Sequence, residues 1–267
     1  MAVRKACAVV GLSRAAFYKT GEVAVQRDAE VIDALNAIVE LSPRWGFWKC
    51  FDRLRLDGRR WNHKRVWRVY CQLGLNLPKR TKKRVPEREP VALQAGTLVN
   101  QGWALDFMHD VLYDGRRFRT LNVIDEANRE ALLIEVGISI PSARLIRALD
   151  QLIDWYGRPD SIRMDNGPEM TSHNFIDWAQ RKGIKLNHIE PGEPNQNAYI
   201  ERFNRTYRHE VLDAYVFKSI EQVQHITEDW LHVYNEQRPH DALGGLPPKQ
   251  FLPRLTNAAD SSNRLST

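Results

Sequence analysis

Cysteines and long apolar runs are scarce in this sequence. Its 267 residues include only Cys7, Cys50 and Cys71, which lie far apart and form no Cys-x-x-Cys pair. This spacing argues against a disulfide framework or a zinc site and favours buried thiols in a reducing compartment. No window approaches the roughly 18 apolar residues of a transmembrane helix, and the N-terminus lacks the apolar core of a signal peptide. We therefore expect a cytoplasmic protein that is not inserted in a membrane.

Positive charge is concentrated in the first third of the chain. Residues 1–90 contain 20 Lys and Arg against 9 Asp and Glu, whereas the remainder contains 19 against 24. The formal net charge of +6 therefore combines a basic N-terminal region with a mildly acidic body. This distribution predicts a polyanion-binding module attached to a domain that keeps carboxylates for another purpose.

The basic region has helical periodicity. Residues 4–19 have the outline of a short helix-turn-helix, and Val31, Leu35, Ile38 and Leu41 share one face of a helix over residues 28–41. Two further helices are expected, one ending near Gly58 and one over residues 62–74. The pattern predicts a helical DNA-binding region over residues 1–78, although a basic helical bundle without a partner fits it as well.

A linker without apolar periodicity is expected over residues 79–98. Its basic cluster could follow a DNA phosphate backbone or serve only as a solubilising tether. The residues of this cluster are Lys79, Arg80, Lys82, Lys83 and Arg84.

From residue 100 the pattern becomes one of short strands and then of alternating helices and strands. The expected order is β-β-β-α-β-α-β-α, with Ser142 capping the first helix, Gly157 ending it, and a long helix over residues 195–212. This order predicts an α/β fold, with a mixed sheet and helices on both faces, over residues 99–215. A helical extension over residues 216–256 and a disordered tail over residues 257–267 complete the predicted organisation.

Three carboxylates occupy defined positions in these elements. Asp106 lies within the first strand, Asp165 ends the fourth strand in "IRMDNGPEM", and Glu201 lies on the long helix. Glu201 borders the apolar stripe of that helix, which is formed by Ile200, Phe203, Tyr207 and Val211. A buried carboxylate in a strand is costly unless it is paired or binds a metal. Singly, each could be structural, with Asp165 as a turn cap and Glu201 as part of a surface ion pair. Together, at one end of one sheet, they could bind Mg²⁺.

The motifs "DNGPEMTS", "GEPNQNAYIERFNRTYRHEVLD" and "YNEQRPHDALGGLPPKQF" carry a family resemblance, and 35 residues separate Asp165 from Glu201. The sequence resembles the RNase H-like DDE transposase and retroviral integrase superfamily. It is most similar to the second-frame (OrfB) transposases of the bacterial IS-three insertion-sequence family. The resemblance covers nearly the whole chain and implies a five-stranded RNase H-like integrase core preceded by a helix-turn-helix region.

The resemblance also implies an activity and a site. Asp106, Asp165 and Glu201 match the metal-binding triad, which would hold two Mg²⁺ (or Mn²⁺) ions for 3′-end cleavage and strand transfer. Arg208 matches a DNA-contacting position, and Arg205 and Asn197 share the helix stripe of Glu201 and are expected to contact DNA. The implied partners are the terminal inverted repeats, target DNA, further copies of the chain and the first-frame (OrfA) product, in the bacterial cytoplasm at the nucleoid.

Two other functions are compatible with the same sequence. One is a structure-specific nuclease on the same fold, and the other is an inactive DNA-binding or autoregulatory fragment of a transposase. Four other acids could also approach the site, although they rank below the triad: Asp110, Asp125, Glu169 and Glu193. Trp103, Trp155 and Trp178 are expected in the core.

Overall fold

The computed structural model describes residues 3–18, 24–78, 96–190 and 197–254. The chain divides into two compact units, Met1–Arg80 and Thr81–Thr267. The basic cluster at residues 79–84, Glu193 and the tail from residue 257 lie outside the described residues.

The first unit is helical. Its core contains Val31 and Leu35, as predicted, but Leu41, the last residue of its helix, is 80% exposed. Cys7 and Cys50 are buried thiols, whereas Cys71 is exposed, so the expectation of burial is wrong for Cys71. The helices are α1 (Val3–Val9), α2 (Arg14–Tyr18), α3 (Ala24–Leu41), α4 (Phe47–Leu56) and α5 (His63–Gln72).

The second unit contains a five-stranded mixed sheet with the strand order β3-β2-β1-β4-β5. The first three strands form an antiparallel meander, whereas β4 and β5 join it as parallel strands. This confirms the predicted α/β fold, in which strands 1 to 3 are linked by hairpins and the others by helices. The strands are β1 (Gly102–Val111), β2 (Arg117–Asp125), β3 (Ala131–Gly137), β4 (Ser161–Met164) and β5 (Lys185–His188).

Helices cover both faces of this sheet. Alternation along β1 sends Trp103 and Leu105 into the core on one face and Ala104 into the core on the other, so that Asp106 shares the face of Ala104. The helices of this unit are α6 (Ser142–Tyr156), α7 (His173–Lys182), α8 (Ala198–Tyr207), α9 (Ile220–Glu236) and α10 (Pro248–Phe251). The core on the face of Ala104 contains the predicted apolar stripe of the long helix, which consists of Ile200, Phe203, Tyr207 and Val211.

Several local predictions need correction. Ser142 is the first residue of α6 rather than its cap, because Pro141 occupies the N-cap position. The long helix is α-helical only as far as Tyr207, and Arg208–Leu212 continues it as a π-helical turn. Trp103 and Trp178 are buried as expected, but Trp155 is 56% exposed. No described helix is both long enough and apolar enough to cross a membrane.

Candidate active site

Asp106 is held in place by a chain of side-chain amides. The Nδ2 atom of Asn204 on α8 donates to Oδ2 of Asp106 at 2.7 Å, and Nδ2 of Asn122 on β2 donates to Oδ1 of Asn204 at 2.6 Å. Asn122 is also the cross-strand partner of Asp106 in the β1–β2 ladder. The backbone N–H of Phe107 donates to Oδ1 of Asp106 at 2.9 Å. The carboxylate is therefore fixed from its own strand and from α8.

The electrostatic surroundings of Asp106 contain two further carboxylates. The pKa of Asp106 is raised to about 6, chiefly by burial and also by the nearby carboxylates of Asp165 and Glu201, against the hydrogen bonds from Phe107 and Asn204. A carboxyl pKa rises when its charged form is desolvated or meets like charge. The structure thus brings the three predicted acids into one electrostatic neighbourhood.

Asp165 directly follows β4, and the Asn-Gly turn holds it there. Its Oδ1 accepts a hydrogen bond from the backbone N–H of Gly167 at 3.0 Å, and Nδ2 of Asn166 donates to the carbonyl of Ile189 at 2.9 Å. A Cβ atom at Gly167 would lie 3.1 Å from Oδ1 of Asp165, so glycine leaves room for that carboxylate. β4 runs parallel to β1 and ends beside the residues of β1 that precede Asp106. Asp165, which directly follows β4, and Asp106 therefore lie at the same part of the sheet.

Glu201 lies in the first turn of α8 and is half-buried beside the buried stripe. No group of three His, Cys, Asp or Glu side chains within the described residues is close enough to hold a metal ion. The three acids are therefore within electrostatic reach of one another but not gathered around a single point. Glu201 follows closely after residues 191–196, which lie outside the described part of the chain.

Among the described residues, the three acids differ from Asp110, Asp125 and Glu169 in lacking a counter-charge. Asp106, Asp165 and Glu201 form no ion pair with any described residue. In contrast, Asp110 pairs with Arg208 (2.9 Å), Asp125 pairs with Arg254 (2.7 Å), and Glu169 pairs with Arg119. An all-oxygen donor set without a protein cation suits a hard divalent metal ion.

The predicted DNA-contact residues differ in solvent exposure and in their bonding partners. Arg205 is exposed on α8, whereas Arg208 already binds Asp110 and the carbonyl of His109. Asn197 is only 4% exposed; its Nδ2 lies 3.5 Å from the carbonyl oxygen of Leu105, and its Oδ1 has no partner among the described residues. DNA contact by these residues stays a prediction, as it does for the cluster at residues 79–84.

Sequence reasoning missed the amides that orient Asp106. Asn122 is fully buried in the otherwise apolar run "LNVI", and Asn204 follows Glu201 by one helical turn. A polar residue in a buried strand requires a hydrogen-bond partner. The position of Asn122 in an apolar strand could therefore have predicted that its side chain binds another polar group.

Family models match most of the chain. The "Integrase core domain" models match residues 96–194 and 182–248, and the "HTH-like domain" model matches residues 26–84. An insertion element IS476 uncharacterized 39.2 kDa protein of Xanthomonas euvesicatoria is 39% identical over 93% of this chain and 71% of that protein. The transposase InsD for insertion element IS2A/D/F/H/I/K of Escherichia coli is 24% identical over 89% of this chain and 83% of its own length.

A solved structure shares the fold. It is a chain of the simian T-cell lymphotropic virus intasome in complex with PP2A regulatory subunit B56 gamma, with 18% identity and a TM-score of 0.53. The alignment covers 83% of this chain and 76% of that chain. The fold and the matched models together define an integrase-core protein that also has an HTH-like domain. Within that class, the chain belongs to the transposases of the bacterial IS-three insertion-sequence family.

Proposed function

We propose that this transposase is a DDE-type polynucleotidyl transferase, which cleaves the 3′ ends of its insertion sequence and joins them to target DNA. The observation that carries the proposal is the group of three neighbouring carboxylates, Asp106, Asp165 and Glu201, without a cation among the described residues. Elsewhere in the same unit, the rival acids Asp110, Asp125 and Glu169 have arginine partners.

Asp106, Asp165 and Glu201 would hold the divalent metal, with Mg²⁺ or Mn²⁺ as the expected ion and two ions as the expected number. Such ions polarise phosphoryl oxygens and stabilise the attacking and leaving oxygens of an in-line displacement. A cation would also relieve the mutual repulsion that contributes to the raised pKa of Asp106. Binding requires the three carboxylates to come closer together, since they do not form a metal-binding group among the described residues.

The side chains of the site have separate tasks in this proposal. Asn204, which is bound by Asn122, and the backbone N–H of Phe107 each donate to one oxygen of Asp106, which orients the carboxylate and leaves its remaining lone pairs for a ligand. The Gly167 turn fixes Asp165 at the end of β4. Arg205, exposed one turn after Glu201, is available to bind a phosphate of the DNA strand.

The helical unit and the basic cluster that follows it are proposed to bind the terminal inverted repeats. Strand transfer joins separate DNA ends, so we expect several copies of the chain to assemble on the DNA. Action together with the first-frame (OrfA) product, and location at the nucleoid, also belong to this proposal.

The test uses labelled element-end DNA with Mg²⁺ or Mn²⁺ and compares the wild type with Glu201→Gln. We expect the wild type to nick the 3′ end and form strand-transfer products, whereas the variant forms neither. Glu228→Gln is the matched control, because Glu228 is an exposed glutamate on α9 and should retain full activity.

The products separate the competing functions. Nicking that persists in Glu201→Gln would refute the assignment of Glu201. Cleavage by the wild type without any strand-transfer product would identify a nuclease instead, and the absence of metal-dependent cleavage would identify an inactive DNA-binding protein.

A further inference from the structure

The helical unit contains an aromatic pocket that the catalytic proposal does not use. Phe47 and Trp48, in the first turn of α4, face His63, Lys64 and Trp67 in the first two turns of α5. These side chains enclose about 340 Å³, which is within the range of small-ligand pockets in proteins. The pocket lies entirely within one compact unit, so the helix pair alone defines its shape.

The pocket walls are indole rings that remain accessible. Phe47 is buried and forms the base, whereas Trp48 is 61% exposed and Trp67 is 46% exposed. The ring of Trp67 lies nearly parallel to that of Tyr70, with 6.0 Å between centroids, and its edge-on contact with Phe47 spans 4.8 Å. These contacts fix the orientation of Trp67 while part of its surface stays free. Two accessible indoles around one cavity offer stacking surfaces to a flat ligand.

The rim of the pocket favours an anion. The ammonium group of Lys64 is exposed and has no ion-pair partner among the described residues, whereas its neighbours Arg65 and Arg68 both pair with the buried Asp28. His63 and Lys64 also occupy the first turn of α5, where the helix dipole is positive. A ligand that suits both parts of the pocket therefore combines a flat aromatic group with a negative charge.

We propose that this pocket binds an unpaired nucleobase of DNA, stacked on Trp48 and Trp67, with the adjoining phosphate near Lys64. A base inside a duplex is already stacked on both faces, so only an unpaired or extruded base can enter. The inference rests on the proposed function in one respect, namely that DNA is the substrate. It adds recognition of an unpaired base to the binding of duplex DNA expected of a helix-turn-helix.

The test uses the full chain without divalent metal and two otherwise identical duplexes, one fully paired and one with a single unpaired 2-aminopurine. We expect the wild type to quench the fluorescence of 2-aminopurine and to bind the unpaired substrate about 5- to 150-fold more tightly, the range for one stacked base. Trp48→Ala and Trp67→Ala should lose the quenching and the preference but keep their affinity for paired DNA. Trp155→Ala, which removes an exposed tryptophan of the other unit, should behave as the wild type.

Lys64→Gln tests the phosphate contact. We expect weaker binding of the unpaired substrate, with a salt dependence reduced by about one counterion. An unchanged affinity and salt dependence would overturn the assignment of Lys64.

Three results would overturn the proposal for the pocket. They are equal binding of the two duplexes by the wild type, equal weakening of both by the tryptophan variants, and a change in oligomeric state of those variants with quenching intact. The last result would mean that the pocket accepts a protein side chain. Because no metal or cleavage is involved, failure of the catalytic proposal would leave these measurements unaffected.

Discussion

Asp106 and Asp125 lie on neighbouring strands of one sheet but in opposite electrostatic surroundings. Burial raises the pKa of both carboxyl groups. Around Asp125, two backbone N–H groups and the guanidinium of Arg254 oppose that rise, whereas around Asp106 the carboxylates of Asp165 and Glu201 add to it. The same fold thus supplies a counter-charge to the buried Asp125 and like charges to the half-buried Asp106. This difference indicates that the charge at Asp106 is kept for a ligand.

The largest expected effect concerns the buried ion pairs around Asp125. Arg254 bridges Asp125 and Glu130 at 2.7 Å each, and both acids are buried. Arg254→Met would leave two carboxylates without their cation, and we expect a loss of about 3–5 kcal/mol in the free energy of unfolding, measured by urea denaturation.

The matched control is Arg116→Met, which removes an arginine from the exposed ion pair with Asp114. That change should cost less than about 1 kcal/mol. Equal losses in the two variants would show that Arg254 does not compensate a buried charge.

The amide chain at Asp106 allows an intermediate test. Asn204→Ala removes the donor to Asp106 Oδ2, and we expect about a 10- to 100-fold loss of activity, as is typical when a group that orients a metal ligand is removed. The metal concentration that gives half-maximal activity should rise as well. A lower activity with an unchanged metal requirement would assign Asn204 to packing alone.

The smallest expected effect concerns stability and pH. The pKa of Asp106 is raised from 3.8 to about 6 in the folded state, so this group binds a proton more tightly when folded, and its contribution to stability falls as the pH rises through that interval. Asp106→Asn removes the unfavourable charge but loses one hydrogen bond. We expect a net gain of about 1 kcal/mol for the metal-free protein at pH 7.5.

At pH 4 this gain should disappear, because Asp106 is then protonated in the folded wild type. Thermal unfolding of both proteins at the two pH values provides the measurement. A variant that is less stable than the wild type at pH 7.5 would show that the carboxylate is structural.

Much of the fold could be predicted because the local patterns agree with it. Hairpins at Asp114-Gly115 and Asn128-Arg129 connect the three antiparallel strands, and Gly157 ends α6, as predicted, with a φ of 87°. The positions of Ile200, Phe203 and Tyr207 followed from helical periodicity alone. Trp155 was misplaced because residue type indicates burial only on average, and its position on α6 faces outwards.

The candidate site was less accessible to sequence reasoning. The positions of Asp106, Asp165 and Glu201 along the chain indicated that they converge, but the amide that binds Asp106 comes from Asn204, 98 residues further along the chain. Asn204 reaches Asp106 only because α8 packs on the face of β1 that carries Ala104. The pairing of Arg208 with Asp110 likewise required the three-dimensional structure.

Turn chemistry and ligand placement coincide at "IRMDNGPEM". The Asn-Gly pair alone predicts only a turn that ends a strand. The structure shows that this turn also holds Asp165 near two other acids.

Calorimetric titration of Mn²⁺ into the complex with element-end DNA tests the central claim most directly. Wild type is to be compared with Asp106→Asn, Asp165→Asn, Glu201→Gln and the control Glu228→Gln. We expect the wild type and the control to bind the ion and each of the three active-site variants to bind it much more weakly. Equal Mn²⁺ binding by all five proteins would contradict the claim that these three carboxylates are kept for a metal.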